Sequence, residues 1–404
     1  MKKLYFFTTH YPQKDFQWKT DELKMLSKNF NVEVIPYIQE SFDFQAPRFD
    51  NVFYQAPLIE KKLKSPLIKT IIKASFNKNT LKFYKEFFGR RVFLSKTKII
   101  LWAEATQKII ELSRNQRLRE IFKEADDNTI LYFYWGRETS EGLGFLPKTK
   151  GKTIIRLHGY DLYEYRHKGD YIAFRTVQLN NLDYAIFISE NGKEYLMNRY
   201  PQIKFEAKIF RLGTTSQGLA RQSTDNIFRI ISCSSVIPLK RVDLIAEALK
   251  LLKIEIEWTH IGGGNDNRTL ENAVLELPEN IKFTLAGQVA AKDVPNFYVK
   301  KPVDLFINVS QTEGLPVSIM EAFAAGIPAL ATKVGGTNEL VNDKTGILLL
   351  PNPTPKEIAK AISDFYNMST REKKQFRINA FERYEEIACF RKNIPQYTEF
   401  LRSL

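Results

Sequence analysis

Two glutamates, Glu313 and Glu321, bracket the start of a helix pattern within the segment Ser310–Pro328. An apolar strand pattern runs directly into this segment. Pro316 suits a first helical position, and Gly326 with Pro328 ends the pattern. Gly314 keeps the turn open, so backbone N–H groups at the helix start can face an anion. Pro316 has no N–H, which leaves Gly314, Leu315 and Val317 as donors. Glu313 falls in the loop and Glu321 roughly a turn and a half into the helix. Two carboxylates at those heights can hold hydroxyls at opposite ends of one elongated ligand. A capped surface helix with two solvated glutamates has the same pattern.

His158 is the second position of chemical interest. A single histidine after a strand is usually a hydrogen-bonded structural residue. Here Gly159 and the run Tyr160-Asp161-Leu162-Tyr163-Glu164 put it at a strand's carboxyl end, where open α/β sheets bind ligands. Arg166 and Arg175 follow closely, and suit either an anionic substrate or a solvated surface.

Several other chemistries are excluded by spacing. Gly262-Gly263-Gly264-Asn265-Asp266-Asn267 lacks the last glycine of a dinucleotide fingerprint, and no Gly-x4-Gly-Lys-Ser/Thr loop occurs. No two aspartates are separated by one residue. The four histidines, His10, His158, His167 and His260, show no metal-ligand spacing with Cys233 and Cys389, so no metal site is expected.

The elements that must position these residues alternate between strand and helix. Strand patterns fall at Leu4–Thr8, Val32–Tyr37, Thr129–Tyr134, Lys152–Leu157 and Tyr184–Ile188. A second series occupies Phe228–Cys233, Glu255–Ile261, Lys282–Leu285, Leu305–Val309 and Ala329–Ala331. Such alternation predicts open parallel sheets. We expect a first domain over 1–208 carrying a basic helical insertion at about 61–125, a linker at 209–226, and a second domain over 227–385. A C-terminal helix over 386–404 is expected to return to the first domain.

The length of 404 residues exceeds one compact core. Apolar residues at 44% and charged residues at 26% exclude disordered and fibrous classes. Two cysteines are too few for a disulfide framework, and no apolar run reaches the eighteen or so residues of a membrane span. A cytoplasmic protein is the expectation. The net charge of +14 is concentrated: residues 61–100 hold twelve basic side chains and one acid, Glu86. An anionic partner or a solvated helical face both fit such a block. Phe83, Tyr84, Phe87 and Phe88 within it fit either stacking on nucleic-acid bases or the apolar side of a helix.

The stretch Glu313 to Glu321 resembles the Glu-x7-Glu element of retaining glycosyltransferases of family 4, which have the GT-B fold. Asp304 to Ser310 before it and Ala331 to Glu339 after it resemble that family too. So do Pro238-Leu239-Lys240-Arg241-Val242-Asp243-Leu244 and His260-Ile261-Gly262-Gly263-Gly264. In the first half, Arg156 to Tyr163 and Phe187-Ile188-Ser189-Glu190 look like members acting in bacterial surface-polysaccharide assembly. The likeness is dense over 228–350, moderate over 152–213 and thin over 40–130.

The resemblance implies an α/β, GT-B architecture of two facing Rossmann-like domains with an interdomain cleft, and metal-independent sugar transfer with retention. Glu321 would bind the ribose of a nucleotide-sugar and Glu313 the transferred sugar. Lys240 would neutralise the diphosphate, helped by the amides of Gly314, Leu315 and Val317. Gln288 and Val289 would meet the base through their backbone, and His158 would lie at the reaction centre. The family usually has an arginine five residues before this lysine; here Ser235 stands there, and Arg241 is the nearest substitute charge. The nucleotide-sugar would be a co-substrate, with no further cofactor. The acceptor would be a glycan or lipid-linked glycan, and the basic block would favour an anionic membrane surface over nucleic acid. An inactive nucleotide-sugar binder and, more remotely, a nucleic-acid binder remain as alternatives.

Overall fold

The computed structural model describes residues 1–11, 17–38, 47–59 and 66–404. Strands β1 (Lys2–Thr8), β2 (Phe30–Pro36), β3 (Val52–Tyr54), β4 (Thr129–Phe133), β5 (Lys152–Leu157), β6 (Tyr184–Phe187) and β7 (Glu206–Ile209) form one sheet. Its order is β3-β2-β1-β4-β5-β6-β7, and every pairing is parallel. All five residues of β4 are buried, as expected of a central strand covered on both faces. One face packs Phe7, Phe133, Ile155 and Phe187 into an apolar core. The other carries a buried polar cluster, in which Arg156 Nη1 lies 2.5 Å from Glu22 Oε2 and Tyr132 donates to Glu22 Oε1 at 2.8 Å. Tyr397, from the helix Phe390–Ser403, places its ring 4.9 Å from the Arg156 guanidinium. Gln396–Leu404 thereby belong to this first unit, with Lys19–Phe210.

The second unit, Arg211–Pro395, is built on β8 (Phe228–Cys233), β9 (Ile256–Ile261), β10 (Ile281–Leu285), β11 (Leu305–Asn308), β12 (Ala329–Thr332) and β13 (Gly346–Leu349). The order is β10-β9-β8-β11-β12-β13, again wholly parallel. Its core gathers Ile230, Trp258, Leu305, Ile307 and Leu330. Chain order reverses between β1 and β4 in one sheet and between β8 and β11 in the other. Crevices open at the carboxyl ends of such switch points, because the flanking connections leave to opposite faces.

The expectation of two parallel-sheet α/β domains is met. Three strands were not predicted: β3, β7 and β13. All three are sheet edges, three or four residues long and partly exposed: β7 alternates Glu-Ala-Lys-Ile, while the apolar Val52-Phe53-Tyr54 and Ile347-Leu348-Leu349 are too short to stand out. The long helical pattern near 66–125 resolves into α1 (Leu67–Ser75), α2 (Thr80–Gly89), α3 (Lys96–Arg114) and α4 (Gln116–Glu124). Arg91 has a φ of 50° beside Gly89, and Asn115 ends α3 while its side chain accepts from Leu118 N at 2.9 Å to begin α4.

Phe83 is fully buried, 5.3 Å from Phe145 and 5.8 Å from Phe174, and Phe87 packs edge-on to Trp102 at 4.9 Å. The single acid of the block, Glu86, is also buried, where it accepts from Tyr171 at 2.8 Å and from Phe174 N at 3.0 Å. Lys69, Lys73, Lys78, Lys85, Arg91 and Lys96 are exposed, as are Phe76, Leu81, Phe88 and Leu94. Lys61, Lys62 and Lys64 lie outside the described residues, as does the side chain of Ile68.

Candidate functional site

The β8–β11 switch point collects most of the residues singled out above. Lys240 ends a 3-10 turn, Pro238–Lys240, that follows β8. Glu313 lies in the loop after β11, and the two loops are tied by Gln311 N donating to Leu239 O at 2.8 Å. Lys240 Nζ sits 2.6 Å from Glu313 Oε1, and Asn308 Nδ2 donates to the same oxygen at 3.2 Å. Burial alone would raise the Glu313 pKa, but the Lys240 ammonium and neighbouring hydrogen bonds hold it below the ordinary value.

Glu313 also depends on a close backbone approach. Gly335 has a φ of 52°, and a Cβ added there would fall 1.8 Å from the Glu313 carbonyl oxygen. Gly336 N donates to Gly314 O at 2.9 Å and completes the turn-to-turn contact. The amides of Gly314, Leu315 and Val317 have no acceptor among the described residues. They stand at the start of the helix Val317–Ala324, where the backbone dipole favours negative charge.

Glu321 lies on that helix. Its carboxyl has no hydrogen-bond or ion-pair partner among the described residues, and burial pushes its pKa up to about 8. The Cys233 thiol nearby is pushed up to about 12 by burial and by the Glu321 charge. An unpaired carboxyl of this kind lacks the hydrogen bonds that a diol would supply.

Arg241 is used differently from Lys240. Its Nε donates to Val309 O at 2.6 Å, and its Nη2 donates to Ser310 O at 3.0 Å and Pro351 O at 2.8 Å. The guanidinium is thus committed to bracing the end of β11, which is a positioning task, and Ser235 is exposed. Gln288 and Val289 follow β10, beside the glycine loop. Gly262 N donates to Gly287 O at 2.9 Å, and a Cβ on Gly262 would come within 1.9 Å of Ser234 O. His260 hydrogen-bonds Ser232 at 2.9 Å, and burial depresses its pKa to about 4.

His158 belongs to the first unit, directly after β5. Its ring packs 4.1 Å from the Trp135 ring and 5.1 Å from that of Tyr134. Asp161 organises the loop: its carboxylate accepts from His158 N at 2.9 Å, Gly159 N at 3.1 Å and Gly136 N at 2.8 Å. His158 Nδ1 lies 3.9 Å from Asp161 Oδ2, too far for a hydrogen bond. Burial lowers the His158 pKa, with Asp161 opposing, so the imidazole is neutral at neutral pH. Arg175 is fully buried and donates to Gly136 O at 3.3 Å, to Asp161 O and to Gln178 at 2.7 Å. It braces the histidine loop and offers no surface charge.

Asp161, Gly262 and Gly335 were not read as site-building residues from sequence, and Arg175, expected to meet an anionic substrate or solvent, is buried and does neither. Glycine doublets at strand ends carried the only signal, since a close approach needs a residue without Cβ. Among the described residues no group of three or more His, Cys, Asp or Glu side chains could hold a metal ion.

Residues 217–383 match the family described as glycosyl transferases group 1. A glycosyltransferase of Methanocaldococcus jannaschii is 27% identical over 218 residues, which are 53% of this chain and 58% of that one. The amylovoran biosynthesis glycosyltransferase AmsK of Erwinia amylovora is 24% identical over 58% of this chain and 60% of its own. The O-antigen biosynthesis glycosyltransferase WbnH of Escherichia coli is 30% identical over 36% of this chain and 40% of its own. The matches thus span about half the length of these relatives. Among solved structures, sucrose-phosphate synthase of Thermosynechococcus elongatus aligns with a TM-score of 0.71 at 14% identity, covering 100% of this chain and 99% of that one. Anabaena HepE, solved with UDP and glucose, aligns with a TM-score of 0.62 at 16% identity, covering 100% of both chains. At these identities the structural likeness establishes the fold, which is GT-B.

Proposed function

We propose that this chain, whose residues 217–383 match the glycosyl transferases group 1 family, transfers a sugar from a nucleotide-sugar to an acceptor hydroxyl with retention at the anomeric carbon. The observation that carries this reading is the grouping of Lys240, Glu313 and three unpaired amides at the β8–β11 switch point. An ammonium and a helix start can stabilise the charge that develops on a departing diphosphate. The half-buried, unpaired Glu321 carboxyl supplies an acceptor for ribose hydroxyls, Glu313 contacts the transferred sugar, and Gln288 with Val289 meets the base. Lys240 and the amides provide the positive charge, so the reaction needs neither a metal nor a separate cofactor. His158, neutral and packed against the Trp135 and Tyr134 rings, serves at the donor sugar.

The relatives named for amylovoran and O-antigen biosynthesis support a role in bacterial surface-polysaccharide assembly, which we place at the cytoplasmic face of the membrane. The acceptor is then a glycan or a lipid-linked glycan. Glu86 turns inward while at least six basic side chains and several large apolar ones stay exposed, and this favours an anionic membrane over a merely solvated face. Burial of Phe83 and the edge-on packing of Phe87 against Trp102 weigh against base stacking on nucleic acid.

The test is incubation of purified protein with UDP-, GDP- and ADP-sugars, with and without EDTA, reading donor cleavage and product anomers by NMR. We expect one donor class to be consumed, chelator or not, with its anomeric configuration kept. An inverted product, or activity abolished by EDTA and restored by a divalent cation, rejects the mechanism. His158→Ala is expected to lower turnover far more than nucleotide affinity.

A further inference from the structure

The loop that carries His158 contains a second buried acid, which the transfer chemistry leaves unused. Glu164 opens the 3-10 turn Glu164–Arg166 and is almost fully buried. Its Oε2 accepts from Arg199 Nε at 3.0 Å and Nη2 at 2.9 Å, and its Oε1 accepts from the Tyr200 hydroxyl. Arg90, the residue after α2, brings Nη2 to 3.3 Å from the same Oε2. One turn earlier, on α2 itself, Glu86 Oε1 accepts from the Tyr171 hydroxyl and from the Phe174 amide. The end of α2 is thus tied to the segment 158–175 at Glu164, and again at Tyr171 and Phe174.

We propose that α2 braces the His158 loop, with Glu164 and Glu86 as positioning residues that set the imidazole for sugar transfer. This rests on the transferase reading for the reaction that His158 serves. Two observations carry it. The loop is anchored by two acids that pull on different parts of the unit. Asp161 gathers the amides of His158, Gly159 and Gly136. Glu164, three residues on, gathers side chains from the helix Glu190–Arg199, from Tyr200 and from the end of α2. The backbone between these anchors has little room to shift, and the imidazole directly precedes it.

The second observation is backbone strain. Phe174 has a φ of 60°, a left-handed conformation that is costly for a bulky side chain. Such a residue persists where its surroundings over-determine it, and here the Glu86 carboxylate holds its amide. Arg175, next in the chain, then reaches Gly136 O and Asp161 O. The strained residue therefore aims the guanidinium that steadies Asp161, and α2 acts on the histidine loop by two routes. Arg90 and Arg199 are partly open to solvent, so neutralising Glu164 releases them outward and strands no buried cation.

The experiment compares the intact protein with Glu164→Gln, Arg90→Lys, Arg90→Gln, Glu86→Gln and Glu86→Leu. Turnover and KM are measured with whichever of the UDP-, GDP- and ADP-sugars the wild type consumes, and the matching nucleoside diphosphate is titrated by calorimetry. Isotope-labelled histidine gives the His158 ring resonance by NMR, assigned by its loss in His158→Gln. That ring lies in the ring currents of Trp135 and Tyr134, so its shift reads the placement of the imidazole. Glu164→Gln should lower kcat by about tenfold or more and move the His158 resonance, because small misplacements of a reacting group are costly. Affinity for the nucleoside diphosphate, whose contacts lie in the second unit, should barely change. Arg90→Lys keeps the cation and should stay near wild type, whereas Arg90→Gln should follow Glu164→Gln. Glu86→Gln keeps the accepting oxygen and should stay near wild type, whereas Glu86→Leu should lose turnover. A folded Glu164→Gln with wild-type kcat, or with equal losses of turnover and nucleotide affinity, overturns the proposal. An unmoved His158 resonance in that variant sinks the brace alone. A wild type that consumes no sugar nucleotide, while the resonance still moves in Glu164→Gln, sinks the transferase reading alone.

Discussion

The ammonium of Lys240 is 2.6 Å from the Glu313 carboxylate, so the cation assigned to the diphosphate already has a partner. A ligand phosphate must share or take over that contact. Lys240→Met is therefore expected to act twice. It removes a phosphate contact, so calorimetry should show a loss of nucleoside diphosphate affinity well above the loss for the bare nucleoside. It also leaves Glu313 buried without its cation, which should cost about 1–3 kcal/mol of stability at neutral pH. Glu313 has a depressed pKa, so its stabilisation is present above the unfolded carboxylate pKa and lost as pH falls through the folded value. The variant should lose stability at pH 7 more than at acid pH. Equal losses for both ligands would return Lys240 to a purely structural pair.

Glu321 carries the opposite sign. Its folded pKa of about 8 lies above the unfolded carboxylate value, so protonation favours the fold. Stability from this group is fully present below the unfolded pKa, falls as pH rises, and is gone above about 8. The slope is at most about 1.4 kcal/mol per pH unit. Denaturant titrations from pH 5 to 9 should show this decline in the wild type and a flatter profile in Glu321→Gln. Ribose hydroxyls stabilise the ionised form, so nucleoside affinity should grow from pH 6 to 8. A Glu321→Gln variant with unchanged nucleoside affinity removes this residue from the site.

Gly335→Ala tests the backbone approach behind Glu313. The added methyl would meet the Glu313 carbonyl at 1.8 Å in a left-handed conformation. We expect a destabilisation above about 1 kcal/mol. Nucleoside diphosphate binding should weaken even at temperatures where the variant is folded, since Glu313 and Gly314 must move. A variant folded and binding like wild type would show that the two turns can separate at no cost.

Membrane binding should follow the exposed face of α1 and α2. Each lysine near an anionic leaflet contributes about 1 kcal/mol, and Phe76 and Leu81, 89% and 82% exposed, can insert shallowly. Cosedimentation with anionic vesicles is expected at low salt, with little binding to neutral ones and release as salt rises. Replacing Lys69, Lys73, Lys78 and Lys85 by Gln should abolish it while nucleotide affinity stays put. Wild-type protein that ignores anionic vesicles would make this face a solvated one.

The strands that carry the ligand loops were legible because central parallel strands are buried on both faces and so rich in apolar residues, as in Phe228–Cys233 and Lys152–Leu157, whose bounds match the sequence reading. Glu206–Ile209 was not legible, since its alternate residues face solvent as an edge strand. The Glu313 to Glu321 segment was visible because a glycine, a proline and two acids are closely spaced on a strand-to-helix turn. What chain order hides is the use of each charge. Arg241, next to Lys240, spends its guanidinium on carbonyls from Val309, Ser310 and Pro351, residues far along the chain. Arg175 and Asp161 likewise gain their tasks only when Gly136 is brought beside them.

The packing of Trp135 against His158 has a practical side. Of the four indoles, Trp102 and Trp258 are sealed in apolar cores, whereas Trp135 rests 4.1 Å from an imidazole that gains its charge only in acid. Indole emission responds to charge and polarity at contact distance, so the molecule contains its own optical probe. Excitation of the wild type against Trp135→Phe isolates that signal, and its acid quenching curve reads the His158 titration directly. The same signal, followed in a stopped-flow mixer, can time the arrival of any ligand that reaches the imidazole, without a label.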